Sequence, residues 1–184
     1  MRKSHHLWCA ALLLGAIGAG LSAQIKSFTL EEMVQTADQA VYGQIIGSRV
    51  IRVDHPTDGP DLFYTVLTIE GRTLAGAQPI TVDVTFRGGF IDATTGVFNS
   101  EAPAADDVQV GKRVVAFYRW TDNMGGGVAA NALVAAHGGL YRAVEGPRGP
   151  AVLGRGEGYA VQANVRLSSL ETAVTNLYRV KRVR

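Results

Sequence analysis

The chain has 184 residues, 18 Lys and Arg against 16 Asp and Glu, and a single cysteine. Length bounds it to one domain of roughly 100–200 residues, large enough to fold without a disulfide or a structural metal. A lone cysteine excludes a disulfide framework, and the near balance of charge excludes a general nucleic-acid footprint.

The N-terminus reads as a secretory signal peptide over residues 1–23. Arg2 and Lys3, with His5 and His6, form a positive start; Leu7 to Leu21 is apolar; Leu21-Ser22-Ala23 is a small-residue cleavage site. The alternative is a membrane anchor, but the run is shorter than the about 20 residues a spanning helix needs, and no later stretch is apolar enough to span. Cleavage after Ala23 removes Cys9 and takes the basic count from 18 to 16, level with the 16 acidic residues. Cys9 stands at the start of the apolar run and is followed by it, which argues against a lipid-modified mature N-terminus.

Thr29 followed by Glu32 is a capping box, and Leu30, Met33, Val34 and Ala37 repeat with helical period, so a short amphipathic helix ends near Asp38. From Ala40 to Val53 the period falls to two, with Gly43 and Gly47 marking a bulge or bend. Asp54–Asp61 is a turn-rich loop, and Leu62–Leu74 a second strand forming a long hairpin with the first. A turn at 75–79 leads to a third strand, Ile80–Phe86.

A long irregular connection, Arg87–Val110, follows. Connections of that length in a compact domain are uncommon and often functional. The strand around 110–120 (VGKRVVAFYRW) is apolar on both faces, with Val114, Ala116, Tyr118 and Trp120 on one and Val115 and Phe117 on the other. It is expected to be covered on both sides. A glycine turn at 121–127, a fifth strand or mixed segment at 128–136 and a short strand at 140–144 complete a domain over 24–146.

Residues 147–168 carry Pro147, Pro150 and several glycines and read as a linker or laid-down arm outside the core, with an edge strand where Tyr159, Val161, Ala163 and Val165 alternate. Ser169 caps an amphipathic helix over 169–184 with a stripe of Leu170, Ala173, Val174, Leu177 and Tyr178. Its basic end, Arg179 to Arg184, suits its own helix dipole. Short strands, one bent by glycine, without βαβ alternation give a mainly β fold: a small OB-like five-stranded barrel with an N-terminal capping helix and a C-terminal helix.

Only His55 and His137 survive maturation, and the chain has no nucleophile elbow, no H-E-x-x-H and no phosphate-cradling glycine loop. No catalytic residue, cofactor or metal site is expected. Asp54, Asp58 and Asp61 offer oxygens to a hard cation such as calcium, but without EF-hand spacing, and turn chemistry explains them equally. Phe86, Arg87, Phe90, Tyr118, Arg119, Trp120 and Tyr141 compose an aromatic-basic set. Such faces on OB-type barrels bind single strands or sugars; the alternative is that most of these rings are core. Arg87, Phe90, Arg119 and Trp120 are the candidate binding residues.

The segment order resembles an uncharacterised family of bacterial exported proteins, on the residues LEEMVQTAD (30–38), VYGQIIGSRV (41–50), YTVLTIEGRTLAG (64–76), Gly88-Gly89, Pro103 and VGKRVVAFYRW (110–120), covering about residues 28 to 144. That family is similar in turn to netrin-like, tissue-inhibitor-of-metalloproteinase-type OB barrels. The resemblance implies a barrel. It carries no site residue, because those inhibitors chelate a protease metal through an N-terminal cysteine that this mature chain lacks.

These readings lead to an exported, periplasmic or secreted, non-enzymatic binding module whose partner is an envelope or secreted protein or a polysaccharide, not nucleic acid. A protease-regulating accessory is the first alternative. A hydrolase using Asp54 or Asp106 with His55 is the second.

Overall fold

The structure is a computed structural model and describes residues 27–183. The signal-peptide reading and Cys9 lie outside these residues. Helix α1 (Leu30–Thr36) starts at the expected capping box: the Thr29 hydroxyl accepts from the Glu32 amide at 3.1 Å, and the Thr29 amide donates to the Glu32 carboxylate at 2.8 Å. Its Met33 and Val34 are completely buried.

Strands β1 (Gln39–His55) and β2 (Gly59–Thr73) form the expected long hairpin, extending to the turn at 56–58 and absorbing both ends of the predicted loop. Ile45 pairs with Ile69 and Gly47 with Thr68, so Ile46 is an extra bulge residue beside one of the flagged glycines. The other, Gly43, faces Gly71 across the hairpin. A Cβ on Gly43 would lie 2.3 Å from the Glu70 carbonyl oxygen, and one on Gly71 would lie 2.1 Å from that of Tyr42. The backbones meet there at a distance only glycine tolerates.

Strand β3 (Pro79–Arg87) lies antiparallel to β2. Short β4 (Gly89–Phe90) and β5 (Gly96–Val97) make a separate two-stranded hairpin. Strand β6 (Arg113–Thr121) is antiparallel to β1 and to β7 (Ala130–Leu133), and β7 meets β3 in parallel at Thr85 and Ala132. The order β1-β2-β3-β7-β6-β1 closes a five-stranded barrel of OB-like order. The segment expected over 128–136 is mixed: after Leu133 the chain turns through left-handed Ala135 and Ala136. Strand β8 (Leu140–Val144) then takes up the same edge of β6.

Strand β6 divides two cores, as its two apolar faces require. Val114, Ala116 and Tyr118 point into the barrel with Val41, Ile45, Leu67, Ile69 and Val84. Val115 and Phe117 point outward to Met33, Val34, Tyr141 and helix α2 (Leu167–Val183). The expected face breaks at the strand end: Trp120 is 56% exposed.

Two expectations change beyond β8. The segment over 147–168 is not outside the core. Its β9 (Ala151–Val152) pairs with β8, β10 (Val165–Arg166) pairs with β9, and Val152 and Val161 are buried in the outer core. The C-terminal helix starts at Leu167, directly after β10, rather than at Ser169, and it docks on its own barrel through Leu170, Val174 and Tyr178. Its basic end also does more than suit its own dipole. Lys181 Nζ donates to the carbonyls of Val34 at 3.2 Å and Ala37 at 2.7 Å, closing the C-terminus of α1. Among the described residues, no helix is long and apolar enough to cross a membrane.

Candidate binding groove

The long connection after β3 lies across one end of the barrel. Gly88 and Gly89 turn it with φ of 93° and 132°, and a Cβ on Gly89 would lie 2.4 Å from the Thr65 hydroxyl. That absence of a side chain lets the Gly88 amide donate to the Phe63 carbonyl at 2.7 Å and the Thr65 hydroxyl donate to the Gly88 carbonyl at 2.7 Å. At the hairpin tip, Asp92 Oδ1 accepts from the Thr94 and Thr95 amides, each at 2.8 Å. Those bonds, with one from the Thr94 hydroxyl, hold its carboxyl well below the usual range, at about 2. Asn99 Nδ2 donates to the Arg87 carbonyl at 3.0 Å, and Ala102 and Val108 pack on the barrel core.

Between this connection and the barrel end lies a groove of about 560 Å³. Val50, Thr65 and Phe86 line it from the barrel strands, and Phe90, Val97 and Phe98 from the hairpin side. The hairpin side is open to solvent: Phe90 is 51% exposed and Phe98 79%. Phe90, Ile91, Val97 and Phe98 thus form one exposed apolar group on this hairpin rather than singly scattered surface hydrophobes.

His137 and Arg155 also line the groove, and a polar cluster surrounds them. The Glu101 carbonyl faces both the His137 amide at 2.8 Å and its Nδ1 at 3.1 Å. A carbonyl only accepts, so Nδ1 carries the proton, and in the neutral ring Nε2 accepts from the Tyr159 hydroxyl at 3.0 Å. Arg155 pairs with Asp107 at 2.6 Å and lies over the Tyr159 ring at 5.9 Å; Arg142 approaches the same carboxylate at 3.7 Å. This cluster ties the connection, through Glu101 and Asp107, to the segment after β9.

No family model matches the chain, nor does any curated protein or solved structure.

The four candidate binding residues do not share one face. Phe90 lines the groove. Arg87 does not line it: its side chain donates to the Met124 carbonyl and so joins β3 to the β6–β7 loop. Trp120 lines a separate hollow of about 230 Å³ with Arg49, Asp83 and Asn131, its indole N–H donating to Asp122 at 2.8 Å. Arg119 pairs through its backbone with Ala132 and lines neither hollow. Of the other rings in the set, Phe86, Tyr118 and Tyr141 are buried.

The outer face of β2 and β3, where OB barrels take ligands, is partly covered by the chain's own β6–β7 loop. Tyr64 donates to the carbonyls of Met124 at 3.1 Å and Gly125 at 3.0 Å, and the Gly126 amide donates to Asp58 at 2.7 Å. The loop aspartates are drawn apart in this arrangement, with Asp61 paired to Arg52 at 2.9 Å. His55 holds the turn, its Nδ1 accepting from the amides of Thr57 at 3.3 Å and Asp58 at 3.1 Å. Sequence reasoning pointed to the connection but missed Val97, Phe98 and Arg155 as groove residues. The available signal for the two hairpin residues was the Val97-Phe98 pair, which with Phe90-Ile91 stands out in a connection rich in polar residues, alanine and glycine.

Proposed function

We propose that this protein is an exported, non-enzymatic binding module of the cell envelope, and that the groove beneath the Arg87–Val110 connection is its binding site. The observation that carries the reading is the groove itself: about 560 Å³, mostly apolar, with Phe90 and Phe98 open at its edge. Ligand sites commonly occupy roughly 300–1,000 Å³, lined by apolar and aromatic side chains with a few placed polar groups. The histidines support binding over catalysis. His55 serves a turn, and both ring nitrogens of His137 are engaged by Glu101 and Tyr159. Among the described residues, neither ring is hydrogen-bonded to a serine hydroxyl in the manner of an activated nucleophile. The exported address rests on the charged, apolar and small-residue order of residues 1–23.

The test uses the mature chain from Gln24, immobilised and exposed to an envelope extract, with Phe90→Ser/Phe98→Ser alongside. Material retained by the natural chain and lost by the doubly substituted one supports the groove. Identical retention by both, with both folded by circular dichroism, overturns it.

A further inference from the structure

We infer that the groove takes an amphiphile with an unbranched acyl chain and a carboxylate head, the chain lying against Phe86, Phe90 and Phe98 and the head meeting Arg155. The inference rests on the proposed binding site and names its ligand class. Three observations converge on it.

The first is the charge of the lining. Among the described residues, the groove has no acidic side chain; its only ionisable groups are His137 and Arg155. An apolar channel with cationic capacity and no carboxylate suits an apolar body with one anionic group.

The second is the state of Arg155. Its guanidinium has five N–H donors, and among the described residues only Nη2 is engaged, by Asp107 at 2.6 Å. The remaining donors are the planar kind that grips a carboxylate. Arg155 also lines an adjoining hollow of about 370 Å³ with Arg142, Asp107 and Tyr159. Two arginines there face one carboxylate, so the junction of the two hollows carries an excess of one positive charge.

The third is that the polar groups between wall and head are already oriented. His137 is held by Glu101 and Tyr159, and Asn99 by the Arg87 carbonyl and the Glu101 amide. The head therefore meets a preorganised end rather than mobile side chains.

The experiment is calorimetric titration of the mature chain with octanoate, decanoate and dodecanoate below their micelle concentrations, and with decanol as the uncharged comparison. The expected result is a gain of about fourfold in affinity per added methylene, the equivalent of ~0.8 kcal/mol. Decanoate should also exceed decanol by about tenfold, as for a hydrogen bond to a charged group. Arg155→Met should bring decanoate down to decanol, while Arg155→Lys, which keeps a cation for Asp107, should fall between. Ala104→Trp, an exposed position in the groove lining, should abolish binding of both. Equal binding of decanoate and decanol to the natural chain overturns the head-group assignment. No binding of any chain overturns the ligand class. The envelope capture with Phe90→Ser/Phe98→Ser stands apart from both: retention that depends on the two rings, with no fatty-acid binding, leaves the groove as a site for a peptide instead.

Discussion

At the scale of single residues, the tyrosines report on the fold. Burial raises the hydroxyl pKa of Tyr64, Tyr118, Tyr141 and Tyr178 above the ordinary value near 10, with nearby Asp38 adding to the rise at Tyr118 and Tyr178. A group raised on folding contributes stability that is present below its unfolded pKa and lost as pH rises through the folded one. Stability should therefore decline from about pH 10 upward. Tyrosinate absorbance from these four rings should appear together with the loss of far-ultraviolet circular dichroism; tyrosinate rising in full while the fold persists would contradict their burial. Legibility at this scale is uneven. Gly43 and Gly47 were readable as interruptions of a period-two pattern, because a glycine inside a strand has few other uses. The neighbourhood of Arg155 was not, because Asp107, His137 and Tyr159 are brought to it by the path of the chain and share no local pattern.

At the scale of elements, the start of α1 was written locally and its end was not. Thr29 and Glu32 stand three apart and cap each other, a pattern visible in any sequence. The last carbonyls are taken by Lys181, which nothing near residue 37 announces. Replacing it by Met keeps the bulk and removes the donors. Lys181→Met is expected to cost about 1.5–3 kcal/mol, the range for hydrogen bonds to a charged group, and to speed amide exchange in α1 before the barrel. Unchanged melting and unchanged exchange in α1 would show the cap to be idle. Strand β6 was the most legible element, since five consecutive buried residues, Val114 to Tyr118, need cover on both sides. Its end misled: alternation places Trp120 with Tyr118, but at Trp120, still paired with Asn131 of β7, the side chain is exposed, and periodicity does not show where the cover over a strand stops.

At the scale of the molecule, the boundary expected near residue 146 dissolves. Proline and glycine made residues 147–168 look like a tether, and by composition they are one. What fixes them is the burial of Val152 and Val161 and the two short strand pairings, too sparse to register as a pattern. The helix beyond is equally committed. Leu167, Leu170, Val174 and Tyr178 are buried, each contributing roughly 1.5–3 kcal/mol, together on the order of the 5–15 kcal/mol that holds a whole domain folded. A chain ending at residue 166 should accordingly lose its cooperative thermal transition and bind a hydrophobic dye. A sharp transition in that truncated chain would restore the barrel as an independent domain.

The bond from Lys181 to Val34 joins groups 147 positions apart. Helix α1 is therefore synthesised well before the residue that closes it. Until then the outer core lacks its lid, and the growing chain cannot hold a finished structure. The distant pairing of β1 with β6 is a second long-range contact of the kind that slows folding. For a protein that we propose leaves the cytoplasm, a helix closed from 147 positions away leaves a longer interval before the fold is complete.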